Sequence, residues 1–262
     1  MRFCRFESAD GPRYGLVEAL GGKDAITHII PSPFGEPWPT ERQKLDNFPV
    51  KKCELLVPVR PSKIVCVGRS YREHAAELGN PVPTEPLLFL KPPSSLLSNC
   101  QPIRLPAIAE RVDYEGELGV VIGRVCRKLR DDEDVRSFVR GYTVVNDVTA
   151  RDLQNKDGQW TRAKGFDSFC PVGPFVTDEI DPWAGVAVET RVDGELKQQG
   201  NTRDFIFPLD VIIRYISRVM TLFPGDLIST GTPPGVGPLR AGNTVEVTVE
   251  GIGTLQNPVV AE

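Results

Sequence analysis

The chain has 262 residues, of which 40% are hydrophobic and 25% charged, so we expect one to two domains and a globular fold, not a fibrous or disordered one. Its formal net charge is −4 and it contains no long run of Lys or Arg, which argues against a nucleic-acid surface or an anionic membrane patch. We therefore expect a small-molecule substrate, with neither a nucleic-acid nor a membrane partner.

The start of the chain has no features of an export signal. Residues 1–12 carry four charged side chains and no apolar segment, and nowhere do 18 apolar residues run together. The six cysteines include no C-x-x-C pair, which favours reduced thiols, so the sequence predicts a cytoplasmic protein. With only two histidines, His28 and His74, a three-histidine zinc site is excluded, and we expect any metal to be held by oxygen atoms.

Residues 1–58 are predicted to form a small N-terminal β-unit followed by a proline-rich loop. Apolar residues flank the turn signal at residues 10–12. The main domain is predicted to span residues 59–262. Within residues 1–58, the prolines Pro31, Pro33, Pro37 and Pro39 exclude long regular structure from the loop that follows the β-unit.

Strand signals dominate the main domain, and they predict a large mixed sheet and a β-rich α+β fold. The Asp193-Gly194 pair is typical of a two-residue hairpin turn. The predicted strands span residues 63–67, 87–90, 112–122, 141–146, 186–192, 227–230 and 244–249.

Few helices are predicted. A short one covers residues 71–78 and is stopped by Gly79-Asn80-Pro81. The clearest covers residues 209–222 and carries an apolar stripe at the 3.6-residue period, which we expect in the core. The stripe consists of Leu209, Ile212, Ile213, Ile216, Val219 and Met220.

Two glutamates, Glu115 and Glu117, are separated by one residue inside a strand pattern. Side chains at i and i+2 share a face of a strand, about 6.5 to 7 Å apart at their bases, so both carboxylates can converge on one ion. The apolar run 120–122 lacks alternation, which predicts a central strand buried on both faces. Two buried carboxylates without a counter-ion are unfavourable, so a metal site explains them better than the alternative, a solvent-facing acidic edge.

A third acid, Asp147, ends an apolar strand and precedes a predicted helical stretch over residues 148–154. Two roles are open for it: an N-cap that accepts backbone N–H bonds, or the third oxygen ligand of the ion. Arg151 and Gln154 follow at spacings of four and three, which puts them on the same side of that stretch. A cation and an amide are then expected beside the metal.

His74 and Glu77 lie at i and i+3 on the short helix and are therefore neighbours on its surface. A carboxylate beside an imidazole fixes its tautomer and raises its basicity, as a general base requires; the alternative is a surface pair without function. The helix is polar and lies between glycines, so we expect it to move as a lid.

Two further segments have two open roles each. Lys164 precedes an irregular stretch and is either a residue of the site or an ordinary solvated charge. The stretch 229–237 is rich in Gly, Ser and Thr, and its N–H groups and hydroxyls can approach an anion. The alternative is a tight loop between two strands.

Together these segments resemble the fumarylacetoacetate hydrolase family in their order and spacing. The resemblance covers about residue 60 to the C-terminus, and residues 1–50 resemble the small N-terminal extension of the family's bacterial two-part members. The closest group contains acylpyruvate hydrolases and oxaloacetate decarboxylases, with hydroxyhepta-dienedioate isomerases as near neighbours. The matching segments are 63–71 with His74 and Glu77, 113–123, 146–154, 164–167 and 225–237.

This resemblance implies a mixed-strand β-roll with few helices, a homodimer, and one bound Mg²⁺, or Mn²⁺ or Ca²⁺ in its place. It also assigns roles to residues. The implied metal ligands are Glu115, Glu117 and Asp147; the implied catalytic residues are His74 and Glu77 on a helical lid, with Lys164; and the implied substrate-binding residues are Arg151, Gln154 and Thr232.

The expected activity is cleavage of the C3–C4 bond of a small 2-oxo acid, by acylpyruvate hydrolysis or oxaloacetate decarboxylation through a metal-stabilised enolate. One alternative is an isomerase of the 2-hydroxyhepta-2,4-diene-1,7-dioate type, which moves a proton without breaking a C–C bond. A second alternative is a non-catalytic β-domain that the metal only stabilises.

Overall fold

The structure is a computed structural model that describes residues 1–35, 38, 40–77, 79 and 81–262. Four residues used in the predictions, Pro37, Pro39, Leu78 and Asn80, lie outside these ranges. Over the described ranges the helices are α1 (Arg72–Glu77), α2 (Arg151–Asp157), α3 (Thr161–Gly165) and α4 (Leu209–Val219). None of them is long and apolar enough to cross a membrane.

Strands make up most of the regular structure in the described ranges. In chain order they are β1 (Arg2–Ser8), β2 (Gly11–Leu20), β3 (Lys23–Ile30), β4 (Gln43–Pro49), β5 (Leu55–Leu56), β6 (Ile64–Gly68), β7 (Leu87–Lys91), β8 (Leu96–Leu97), β9 (Ile103–Leu105), β10 (Val112–Tyr114), β11 (Gly116–Ile122), β12 (Val139–Asn146), β13 (Thr149–Ala150), β14 (Cys170–Thr177), β15 (Ala187–Val192), β16 (Glu195–Asn201), β17 (Leu227–Ser229), β18 (Gly237–Pro238), β19 (Thr244–Val249) and β20 (Gly253–Ala261).

These strands form three sheets. The largest has 12 strands and contains the path β4-β3-β2-β1-β14-β12-β11-β17-β6-β7, so the N-terminal strands extend it through β1 and β14. A five-stranded sheet has the order β16-β15-β19-β20-β9, and a three-stranded one the order β13-β10-β18. Since β17 and β6 run parallel while most other neighbours are antiparallel, the predicted β-rich fold with mixed sheets and few helices is confirmed.

The centre of the large sheet is β11, which lies between β12 and β17. Every residue of β11 and β12 is buried, as the apolar run without alternation predicted. The predicted strand 112–122 is nevertheless interrupted at Glu115, because β10 pairs with β13 and β18 in a different sheet. The chain therefore changes sheets at the first of the two glutamates.

Helix α4 covers the core with four residues of its apolar stripe, Leu209, Ile212, Ile213 and Ile216, all buried. The helix ends at Val219, three residues before the predicted end, because Leu222 forms an isolated bridge with Cys126 and exchanges backbone hydrogen bonds with it. The expectation that Val219 belongs to the core is wrong, since its side chain is 61% exposed.

The helical stretch predicted at 148–154 starts later than expected. Thr149 and Ala150 form β13, which pairs with Val112 and Asp113 of β10, and helix α2 begins only at Arg151. Its N-cap position is occupied by Ala150. Asp147 is therefore not the N-cap, and that alternative is excluded.

The Asp193-Gly194 turn is confirmed between β15 and β16. Both residues have a positive φ, 52° for Asp193 and 80° for Gly194, as a type I′ hairpin turn requires.

Candidate active site

Eight of the nine predicted site residues line one pocket of about 340 Å³. The ninth, Glu77, reaches that pocket through its contact with His74. The residues come from the ends of β6, β11, β12 and β17 and from the segments that follow them. The eight lining residues are His74, Glu115, Glu117, Asp147, Arg151, Gln154, Lys164 and Thr232.

The three predicted metal ligands form a buried acidic cluster. Glu115 is 5% exposed, Glu117 2% and Asp147 1%, and one carboxylate oxygen from each lies within 4.8 Å of the others. The cluster forms because Glu115 and Glu117 flank Gly116, which pairs with Asn146 of β12 just before Asp147. In addition, the Asp147 N–H donates to the Glu115 carbonyl oxygen at 2.8 Å.

Glu117 makes no ion pair with a Lys or Arg of the described residues. Its carboxylate accepts hydrogen bonds from the Ser229 hydroxyl and from the Gly231 N–H, the latter at 2.7 Å. Burial, together with the negative charges of Asp147 and Glu115, raises the pKa of Glu117 well above its usual range. A cation placed between the three carboxylates would reverse that effect.

Lys164 bridges the other two acids. Its Nζ donates to Glu115 Oε2 at 2.8 Å and to Asp147 Oδ2 at 2.6 Å. Burial alone would raise the pKa of Glu115, but Lys164, Arg151 and His74 hold it below its usual range. Burial alone would likewise lower the pKa of Lys164, but Asp147 and Glu115 raise it above its usual range, which favours the charged ammonium form.

A second buried lysine, Lys91, was missed by the sequence analysis. Its Nζ is fully buried and donates to Asp147 Oδ1 at 2.6 Å and to the Val148 carbonyl oxygen at 3.1 Å. It does not line the pocket. Lys91 lies two residues after Phe89 in β7, on the same face of the strand, but that Phe89 lines the pocket is visible only in the structure, so the sequence alone held no signal for Lys91.

Arg151 is held from three sides. Its Nε donates to Asp113 Oδ2 at 2.9 Å, its Nη1 to Gln154 Oε1 at 2.7 Å, and its Nη2 to Glu115. The pairing of Arg151 with Gln154 on α2 agrees with their i, i+3 spacing. The guanidinium is thereby fixed beside the acidic cluster.

His74 and Glu77 face each other on α1, with His74 Nδ1 3.2 Å from Glu77 Oε2. His74 is 4% exposed, whereas the Glu77 side chain is 33% exposed. Glu77 also accepts from the Gly235 N–H, at 3.0 Å to Oε1 and 3.2 Å to Oε2. The His74 imidazole thus lines the pocket, and its partner Glu77 is held by the N–H of Gly235, which does not line the pocket.

The glycine-rich stretch 229–237 directs its donors at the protein's own carboxylates. The Gly231 N–H binds Glu117 and the Gly235 N–H binds Glu77. The Thr232 hydroxyl donates to the Gly116 carbonyl oxygen at 2.9 Å and accepts from Gln198 Nε2 at 2.7 Å. Thr232 therefore lines the pocket with its hydroxyl proton already in use, leaving acceptor capacity toward a ligand.

Seven further residues line the pocket that were not predicted as site residues. Trp160 packs edge-on against Phe89, with ring centroids 5.1 Å apart. Arg69 has a φ of 56°, in the left-handed region that non-glycine residues seldom adopt and that is enriched at ligand sites. The seven are Val67, Gly68, Arg69, Phe89, Arg111, Asn155 and Trp160.

The donor set fits a hard divalent cation. Three carboxylate oxygens converge, and oxygen ligands are those that Mg²⁺, Mn²⁺ and Ca²⁺ prefer. Glu117 is the second indication of a cation site, since it is a buried acid that pairs with no Lys or Arg in the described part of the chain. The arrangement therefore joins a cation site, a buried ammonium group and an imidazole–carboxylate pair around one pocket.

Two family models match the sequence. The one described as "Fumarylacetoacetate (FAA) hydrolase C-terminal" matches residues 63–260, and the one described as "Rv2993c-like, N-terminal" matches residues 1–58. Together they span nearly the whole chain.

Curated proteins and solved structures are similar to the chain over most of its length. Protein Rv2993c of Mycobacterium tuberculosis is 46% identical over 265 aligned positions, covering 99% of this chain and 98% of that protein. Oxaloacetate decarboxylase, mitochondrial, of Dictyostelium discoideum is 46% identical over 198 positions, covering 73% of this chain and 90% of that protein. The crystal structure of 5-carboxymethyl-2-hydroxymuconate delta-isomerase from Mycobacterium smegmatis superposes with a TM-score of 0.90 at 43% identity and covers 100% of both chains.

Proposed function

The chain belongs to the fumarylacetoacetate hydrolase family, and from that membership we propose that it is a divalent-metal-dependent hydrolase or lyase that cleaves the C3–C4 bond of small 2-oxo acids. The observation that carries this proposal is the convergence of three carboxylate oxygens within 4.8 Å in the pocket that Lys164 and His74 also line. Glu115, Glu117 and Asp147 would hold the ion, Mg²⁺ by preference or Mn²⁺ or Ca²⁺. When bound, the ion supplies Lewis-acid stabilisation of negative charge.

The pyruvyl half of the substrate becomes an enolate when the C3–C4 bond breaks. Lys164, whose pKa Asp147 and Glu115 raise, stabilises the new negative charge from a fixed position. Arg151 and Gln154 are linked to each other at 2.7 Å and orient the carboxylate oxygens of the substrate. Because Arg69 and Arg111 add two more cations to the lining, the pocket favours anionic substrates over neutral esters.

The His74–Glu77 pair moves the proton. In hydrolysis, His74 takes a proton from the water that attacks the distal carbonyl carbon, and Glu77 stabilises the imidazolium through Nδ1. In decarboxylation, CO₂ leaves C3 without an attacking water, and the enolate is protonated at C3 to give pyruvate. The two reactions therefore use the same lining and differ in what occupies the distal part of the pocket.

The names of similar proteins support two reactions, C–C cleavage and isomerisation. A relative named oxaloacetate decarboxylase shares 46% identity over most of this chain, which favours the lyase reaction. The M. smegmatis structure is of a protein named as an isomerase and matches along the whole chain, which favours isomerisation of a dienol diacid as the second candidate. An isomerase would need only the proton transfer, without C–C cleavage.

The deciding experiment is incubation of the protein with Mg²⁺ and three substrate classes, followed by mass spectrometry. The classes are an acylpyruvate, oxaloacetate and a hydroxy-dienedioate. We expect pyruvate from the acylpyruvate, from oxaloacetate or from both, and competitive inhibition of this release by oxalate, a planar mimic of enolpyruvate. The release of pyruvate should be lost in His74→Ala but not in the matched control His28→Ala. Intact acylpyruvate and oxaloacetate beside a ketonised dienedioate would replace cleavage by isomerisation.

A further inference from the structure

A chain of hydrogen bonds runs from the interior of the protein to the His74–Glu77 pair. The Tyr114 hydroxyl donates to the Gly235 carbonyl oxygen at 2.9 Å. The N–H of the same glycine donates to both oxygens of Glu77, at 3.0 and 3.2 Å. Glu77 Oε2 then lies 3.2 Å from His74 Nδ1. Tyr114 thus reaches the imidazole through a single residue, Gly235, and a single carboxylate.

Tyr114 is a firm anchor for this chain. It is 4% exposed, and its backbone pairs with Gly237 of β18, at the far end of the same loop. The side chain therefore fixes the loop from within the three-stranded sheet. A buried hydroxyl with one defined acceptor holds that acceptor's position more firmly than an exposed one, which exchanges partners with water.

Position 235 accepts only glycine. Its φ is +100°, a conformation that L side chains rarely adopt, and a Cβ there would lie 2.1 Å from the Lys197 carbonyl oxygen. In this conformation the Gly235 N–H meets the Glu77 carboxylate, which is 33% exposed and has no Lys or Arg partner in the described ranges.

The same loop holds the metal-binding side of the pocket. Four residues before Gly235, the Gly231 N–H donates to Glu117 at 2.7 Å. The loop therefore contacts a predicted metal ligand at one end and the proton-transfer pair at the other. Its position sets the spacing between the two halves of the site.

We propose that Tyr114 and Gly235 are positioning residues of this site: the Tyr114 hydroxyl fixes the loop so that the Gly235 N–H holds Glu77 against His74. Neither residue touches the substrate. The inference rests on the proposed function, in which His74 and Glu77 move the proton. It adds that α1, which Tyr71 anchors at its start by packing on Phe205, is also held in its working position by a hydrogen-bonded contact with a loop.

The first test uses the Tyr114→Phe variant, which removes one hydroxyl and keeps the ring. With Mg²⁺ and the best 2-oxo acid substrate, kcat should fall about tenfold, the usual effect of one hydrogen bond. KM and the Kd for Mg²⁺ should stay within about twofold, because Arg151 and the three acids are untouched. The matched control is Tyr142→Phe, a buried tyrosine of β12 whose ring packs on Trp183, and its kcat should not change.

A double-mutant cycle separates positioning from a general structural role. If Tyr114 acts through Glu77, then adding Tyr114→Phe to Glu77→Ala should lower kcat by less than about twofold further. A further tenfold loss in the Glu77→Ala background would mean that Tyr114 acts independently of Glu77, and the proposal would be wrong.

A measurement without turnover keeps this inference separate from the proposed function. Hydrogen–deuterium exchange of the Gly235 amide, followed in the substrate-free protein, should be faster in both Tyr114→Phe and Glu77→Ala than in the wild type and in Tyr142→Phe. Unchanged exchange in both variants would overturn the positioning role. If exchange behaves as expected while no 2-oxo acid is turned over by the wild type, the proposed function fails and the hydrogen-bonded contact stands.

Discussion

Individual charges in the site are compensated unequally, and that inequality points to a bound cation. Asp147 has two lysine partners, Lys91 and Lys164, and Glu115 has Lys164 and Arg151. Among the described residues, Glu117 has as partners only the Ser229 hydroxyl and the Gly231 N–H group. If Lys and Arg side chains neutralised all three acids, Glu117 would also have such a partner among the described residues.

Replacing Glu117 by Gln should therefore separate metal binding from folding. The amide keeps the shape of the side chain but removes one ligand charge, so Mg²⁺ should bind far more weakly and activity should be lost. In the metal-free protein the midpoint of thermal unfolding should stay the same or rise, because a buried acid without a cation partner has been removed. Calorimetric titration with Mg²⁺ measures the first effect, and an unchanged affinity would contradict the assignment.

Lys91 is predicted to stabilise the fold from outside the pocket lining. Lys91→Met leaves Lys164 as the one cation partner of Asp147 among the described residues, and breaking a buried ion pair on one side costs about 3–5 kcal/mol of unfolding free energy. Denaturant unfolding measures this loss. Lys156→Met, a substitution in the last turn of α2, is the control and should change stability by less than about 0.5 kcal/mol; equal stabilities of the two variants would show that the Lys91 pair contributes nothing.

At the level of elements, the sequence predicted the strands and helices whose positions follow from the pattern of apolar residues. Strands are present at every position predicted after residue 60, although 112–122 is divided into β10 and β11, and α4 buries the predicted stripe up to Ile216. The strand β14 was missed although every residue of it is buried, because Pro171, Gly173 and Pro174 interrupt the pattern that identifies strands. The late start of α2 was missed because it is caused by the pairing of β13 with β10, a contact between distant parts of the chain.

The end of α4 supplies a test of which residues form the core. Ile213 is fully buried and Val219 is 61% exposed. Ile213→Ala should therefore lower the unfolding free energy by about 2–5 kcal/mol, and Val219→Ala by less than about 0.5 kcal/mol. Comparable losses in urea unfolding would mean that the helix continues into the core past Val219.

Helix α1 is short, and His74 is the buried one among its described side chains, so its contribution should be to turnover. His74→Ala should lower kcat by about 10² to 10⁴, the usual contribution of a positioned proton-transfer group. The free energy of unfolding should change by about 1 kcal/mol or less, since the imidazole lies against the pocket and not in an apolar cluster. A large loss of stability with preserved kcat would make the His74–Glu77 pair a structural contact.

At the level of the whole molecule, the predicted residues come together because four strand ends of the central sheet meet at one pocket. Strands β6, β11, β12 and β17 are neighbours in the sheet, which brings positions as far apart in the sequence as His74 and Thr232 into one lining. Motif spacing could identify these residues one segment at a time. It could not identify Lys91 or the Tyr114–Gly235 contact, since both depend on which distant segment each side chain meets.

The central claim is that one divalent ion, held by the three acids, is required for cleavage of a 2-oxo acid. The most direct measurement is a titration of the metal-free protein with Mg²⁺ in which heat of binding and release of pyruvate are followed on the same preparation. We predict that both saturate at about one ion per chain with the same Kd, and that both are lost in Glu117→Gln. Binding of Mg²⁺ that raises thermal stability but releases pyruvate from no 2-oxo acid, or release that persists with excess chelator, would contradict the claim.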